Sequence, residues 1–205
     1  MRCAVVTYWF VLLFVTGGCA QAADLTTDYQ AIAIGVYDYA HVPERVLAGA
    51  EEETTSMFGR FGVHLIWGHC FDRRSIPPCS QLLGPRFVQL NLLDRIMGSK
   101  ITIDRGLGST LGKTIAVSYQ EIQDTIGDED PERSQILAHI FAHELGHILL
   151  PPKAHSDKGI MRPRWRLRDL ENDISFTRRE ESQIRAAVMA LEAQHWPEGQ
   201  IRPPH

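Results

Sequence analysis

The feature that most restricts this chain is one segment held between two proline-marked breaks. Asp130-Pro131 supplies a cap and a first-turn proline, and Pro151-Pro152 must stop a helix, because proline lacks the amide donor and crowds the preceding turn. Between them Ile136, Leu137, Ile140, Phe141, Leu145 and Ile148 recur at helical spacing, which predicts an amphipathic helix. On that helix stands His143-Glu144-Leu145-Gly146-His147. Residues four apart lie about 400° apart in rotation and about 6 Å apart along the axis, so both imidazoles leave one side of the helix, one turn apart. The fold has to bury the apolar stripe while leaving the histidine side reachable.

The rest of the chain supplies the layer for that stripe. Residues 31–37 are apolar and partly β-branched, which predicts a buried strand. Pro43 suits a first helical position, and Val46, Leu47, Ala50, Met57, Phe58 and Phe61 mark one face of the helix that follows, closed by Gly62. Residues 63–67 form a second strand, so the opening reads as two parallel strands joined by a crossover helix. Residues 87–93 form a third, and Gly106, Gly108 and Gly112 mark a turn region. Residues 114–122 form a fourth strand whose half-exposed composition suits a sheet edge. Thr177 and Glu180 make a capping box for a last helix with Ile184, Val188 and Leu191 as its stripe. Strands come first and the later helices follow, so the expected class is α+β.

With 205 residues and 44% hydrophobic composition, the chain has enough material for one core of ordinary domain size. A net charge of −4 argues against a nucleic-acid binder, which needs a basic face. Arg2, the apolar run over residues 4–15 and Ala20-Gln21-Ala22 have the layout of a secretory signal peptide. The run is too short to span a membrane. A lipoprotein anchor at Cys19 is the weaker reading, because Thr16-Gly17-Gly18 lacks a large aliphatic residue. The expected organisation is a signal peptide over residues 1–22, one domain over 23–196 and a loose tail over 197–205, secreted as a monomer with no transmembrane segment in the mature chain. Of the four cysteines, Cys70 and Cys79 remain after export and are expected to form one disulfide across a short loop.

Both motif imidazoles can reach one metal ion with bonds of about 2.0–2.1 Å. Glu144 is turned about 100° from His143, which puts it beside the metal, where it can take a proton from a polarised water. Two imidazoles and a further donor in an exported chain favour Zn²⁺. His155, eight residues after His147 and beyond the double proline, is the leading third ligand, with Asp157 and Glu171 in reserve. His139 extends the stripe of His143 and His147, but it lies about 12 Å along the axis from His147, too far to share an ion. It is expected to be hydrogen-bonded in the core or around the site.

His155-Ser156 is followed by Gly159-Ile160-Met161-Arg162-Pro163. With the helix motif, this resembles the metzincin zinc peptidases, and the matrixins most of all. Their pattern runs H-E-x-x-H-x-x-G-x-x-H, then Ser, then a methionine turn. The resemblance is specific over residues 143–163 and loose over 31–165. This chain departs from the pattern in two ways. The second and third histidines are eight residues apart and not six, and Leu150 stands where the turn glycine is expected, so Pro151-Pro152 must build a wider loop. Cysteines after the third histidine, expected in the archaemetzincin branch, are absent.

The resemblance implies a mixed, mostly parallel twisted sheet with a crossover helix, an edge strand, an active-site helix and a C-terminal helix. It makes Met161 a hydrophobic floor under the histidines. It makes the edge strand, here Ala116, Val117, Ser118 and Tyr119, a place where an extended polypeptide adds as a strand. The expected activity is that of a secreted zinc endopeptidase with Glu144 as general base and His143, His147 and His155 as ligands. A non-catalytic binding module on a zinc-stabilised fold and a metal-dependent amidase for a non-protein substrate are the alternatives.

Overall fold

The computed structural model describes residues 30–71, 79–94, 108–126, 130–152, 154–163 and 174–193. The proposed signal peptide and tail and the reserve ligand Glu171 lie outside them.

Five strands form one sheet in the order β2-β1-β3-β5-β4: β1 (Ala31–Asp38), β2 (His64–His69), β3 (Phe87–Leu93), β4 (Gly108–Leu111) and β5 (Thr114–Ser118). The pairings of β1 with β2, β1 with β3 and β3 with β5 are parallel, and only β4 runs antiparallel, against β5. The mixed, mostly parallel sheet matches expectation, as does the crossover through α1 (Glu44–Gly59). Gly62, at φ 82°, turns the chain out of that helix.

The remaining helices among the described residues are α2 (Cys79–Leu82), α3 (Tyr119–Ile126), α4 (Asp130–Leu149) and α5 (Arg178–Ala193). The class is α/β: α1 and α2 alternate with β1, β2 and β3, whereas α3, α4 and α5 follow the last strand, as the α+β reading expected. The parallel pairing of β1 with β2 demands a crossover, and α1 supplies it.

The edge strand differs from expectation. β5 is interior, bonded to β3 on one side and β4 on the other, so Ala116, Val117 and Ser118 are not at an edge. Tyr119 is not in a strand at all: it opens α3, where it and Ile122, three residues apart, are both buried. The glycine-rich stretch read as a turn contains β4, and a hairpin turn at Gly112 (φ 62°) folds β4 over the side of β5 that would otherwise be open.

One face of the sheet carries the core. Val36, Leu90 and Ile115 are cross-strand neighbours, as are Asp38, Leu92 and Val117, and all of these apolar residues are buried. α1 and α4 pack together. At their crossing a Cβ on Gly49 would stand 3.0 Å from Ser134 Oγ, and the Thr54 hydroxyl donates to Ala50 O (2.7 Å) and Ala138 O (3.3 Å). Cys70 and Cys79 are joined as a disulfide. The capping box forms at the start of α5, Thr177 N–H donating to Glu180 Oε2 (2.7 Å) and Glu180 N–H to Thr177 Oγ1 (3.3 Å).

Candidate metal centre

His143 and His147 leave the same side of α4, one turn apart, as the four-residue spacing requires. After Leu149 the chain reverses. Leu150 N–H donates to Gly146 O (2.8 Å), and beyond the prolines Ala154 N–H donates back to Pro151 O (3.1 Å). The return is anchored downstream: Ser156 N–H bonds Met161 O (3.0 Å), Gly159 takes φ 71°, and Ile160 N–H bonds Ser175 O (3.1 Å). This loop delivers His155 to the other two rings.

The three Nε2 atoms converge. His143 and His147 Nε2 are 2.9 Å apart, and His147 and His155 Nε2 are 3.2 Å apart. Nitrogens on a tetrahedral ion with bonds of about 2.0–2.1 Å stand about 3.3 Å from one another, so the spacing is close to that of a shared coordination shell. His143 Nδ1–H donates to Ile160 O at 2.8 Å, which fixes the tautomer that leaves the Nε2 lone pair facing its neighbours. Burial pushes the His143 pKa down to about 4, with positive charge on His147 and His155 adding to the effect and the Ile160 carbonyl opposing it. His147 is lowered by burial and then by His155. Ligating imidazoles must be neutral, and this environment keeps the two helix rings so. The three histidines form a group able to bind a metal ion.

Glu144 is 5% exposed and lies beside the histidines without joining their group. Burial raises its pKa, against a donor bond from Thr110 that lowers it. Thr110 Oγ1 stands 2.5 Å from Glu144 Oε2. The histidines, Glu144 and β4 border an open cleft of about 650 Å³.

No protein-family model matches the chain, and no curated protein matches it in sequence. Solved structures do match in three dimensions. A zinc-dependent peptidase from Methanocorpusculum labreanum superposes with a TM-score of 0.53 at 15% identity, over 74% of this chain and 99% of that one. An archaemetzincin from Methanopyrus kandleri gives 0.51 at 16% identity, over 78% and 97%. The chain shares the fold of these two proteins.

His155 stands where the sequence put it, in the metal group, and the reserve ligand Asp157 is exposed and outside that group. His139 is buried, its Nδ1–H donating to Gln135 O (2.6 Å) in its own helix, as a core histidine does. Met161 is fully buried under Gly146, with Phe176 beside it. Sequence reasoning missed Thr110 and Gly108. Their only signal was a small polar residue and a glycine at alternate positions ahead of a hairpin turn, a weak cue beside the glycines around them.

Proposed function

We propose that this protein is a secreted zinc-dependent endopeptidase of metzincin type, closest in its motif to the matrixins. His143, His147 and His155 are its ligands, Glu144 is its general base, and Met161 is the floor of the site. The observation that carries the reading is the meeting of three imidazole Nε2 atoms next to a buried carboxylate.

Bound Zn²⁺ would supply Lewis acidity to the scissile carbonyl and to the attacking water. Glu144 accepts a proton from that water as its oxygen bonds to the carbonyl carbon. It then passes the proton to the leaving nitrogen as the C–N bond breaks. The raised pKa of Glu144 suits both transfers. Among the described residues β4 is the edge strand beside the cleft, so an extended polypeptide adds there and not on β5. A single domain over residues 23–196, acting as a monomer after removal of residues 1–22, completes the proposal.

The test is hydrolysis of labelled casein by the purified full-length protein. Turnover should stop with a zinc chelator and return with Zn²⁺. Glu144→Gln should lose activity by about 10²–10⁴-fold while keeping its zinc. Casein hydrolysis that persists in that variant would refute the base, and a protein that holds zinc but cleaves nothing would favour the binding-module reading.

A further inference from the structure

Gly108 and Thr110 sit on the core face of β4. Thr110 continues the cross-strand row of Val36, Leu90 and Ile115, and Gly108 continues that of Leu92 and Val117. Where the interior strands present branched apolar side chains, β4 presents a hydroxyl and a bare Cα. The carboxylate of Glu144 lies against these two residues. The Thr110 hydroxyl donates to Oε2 at 2.5 Å, and a Cβ on Gly108 would stand 2.8 Å from both Oε1 and Cγ. The helix fixes the Glu144 backbone and not its last torsion, which is broad and roughly two-fold for a glutamate.

We propose that Thr110 is the positioning residue for Glu144 and that Gly108 is the spacer that admits the carboxylate. The inference rests on the general-base reading above. It makes the edge strand, and not only α4, responsible for where the base points. The strand that would pair with substrate then also aims the group that accepts the proton, so peptide register and base position share one element.

The experiment uses the full-length protein loaded with Zn²⁺, labelled casein as probe, and Thr110→Val, Thr110→Ser, Gly108→Ala and Glu144→Gln. Thr110→Val removes the donor at nearly constant volume and should lower kcat by about 10- to 100-fold, with KM within about twofold and zinc retained. Thr110→Ser keeps the donor and should stay within about threefold of the parent. Gly108→Ala should lower kcat with zinc retained. In the metal-free protein, the ¹³C carboxyl resonance of Glu144 should move in Thr110→Val and stay in place in Thr110→Ser.

Parental kcat in Thr110→Val, with Glu144→Gln inactive, overturns the inference and leaves the general base standing. Equal loss in the Ser and Val variants overturns it too, because the hydroxyl would then be irrelevant. An active Glu144→Gln removes the general base itself, and the inference with it. If Thr110→Val does not fold, Thr110→Ser and Gly108→Ala decide: a fast Ser variant with a slow Gly108→Ala supports the assignment, and any other pairing defeats it.

Discussion

The Cβ that Gly146 lacks would overlap the sulfur of Met161. The glycine inside the helix motif is there for contact: Met161 is fully buried, with Phe176 Cε1 3.3 Å from the same point, and has nowhere to withdraw. Gly146→Ala gains about 1 kcal/mol of helix propensity and loses about 1–3 kcal/mol to overpacking. Denaturant melts should therefore show a net loss of up to about 2 kcal/mol. In a Met161→Ala background the same substitution should become neutral or stabilising. If the sign does not change between backgrounds, the contact is not what excludes a side chain at Gly146.

The proposed third ligand is His155, whereas His139 is buried in the core. His155→Ala should weaken zinc binding by more than about 100-fold, beyond the usual cost of an outer-shell change. His139→Ala should keep the metal and lose thermal stability. Competition with a chromophoric chelator measures both, and the reverse pattern would reassign the ligand.

The metal-free protein should lose stability on mild acidification. His143 titrates near 6.5 when unfolded and near 4 when folded, so between these values the unfolded chain binds a proton that the folded site excludes. The contribution is fully present above pH 6.5 and is lost as pH falls towards 4, by at most about 3 kcal/mol. Glu144 acts in the opposite sense, since its raised pKa means that acid relieves a cost. Comparing the parent with His143→Gln isolates the histidine: the drop in melting temperature from pH 7 to pH 5 should shrink in the variant. An equal drop in both would contradict the assignment.

Reducing the disulfide should lower the stability of the fold. For a separation of 9 residues, loop entropy assigns the bridge about 2–3 kcal/mol. Cys70→Ser with Cys79→Ser should lower the unfolding free energy by about that amount and leave zinc affinity unchanged, because the pair joins the residue after β2 to the start of α2, remote in sequence from the histidines. A fall in zinc affinity would show coupling between the two.

Elements set by local chemistry were legible in the sequence: the stripe of α1, the capping box of Thr177 and Glu180, the helix stop at Pro151 and the one-turn spacing of His143 and His147. Each depends on neighbours within a few residues. The identity of the edge strand depends on which strands find each other across the sheet, and Thr114–Ser118 reads the same inside a sheet or at its border. Gly108–Leu111 is short and begins with glycine, so its local preferences favour a turn. Only pairing with β5 makes it a strand. Tyr119 and Ile122 mislead for a related reason: aromatic and β-branched residues extend a strand pattern, yet the same two residues fit the three-residue step of a helix. Thr110 and Gly108 were invisible because their role exists only once β4 lies over α4.

The loop that carries His155 is tied down from its far side, through Ser156 to Met161 and through Ile160 to both Ser175 and His143. The ring is therefore located by what comes after it in the chain, and the stretch leading out of the helix only has to be long enough. A change of length there leaves the anchors on Met161, Ser175 and His143 in place. Pattern searches that insist on one fixed gap will pass over chains whose ligand atoms nonetheless meet.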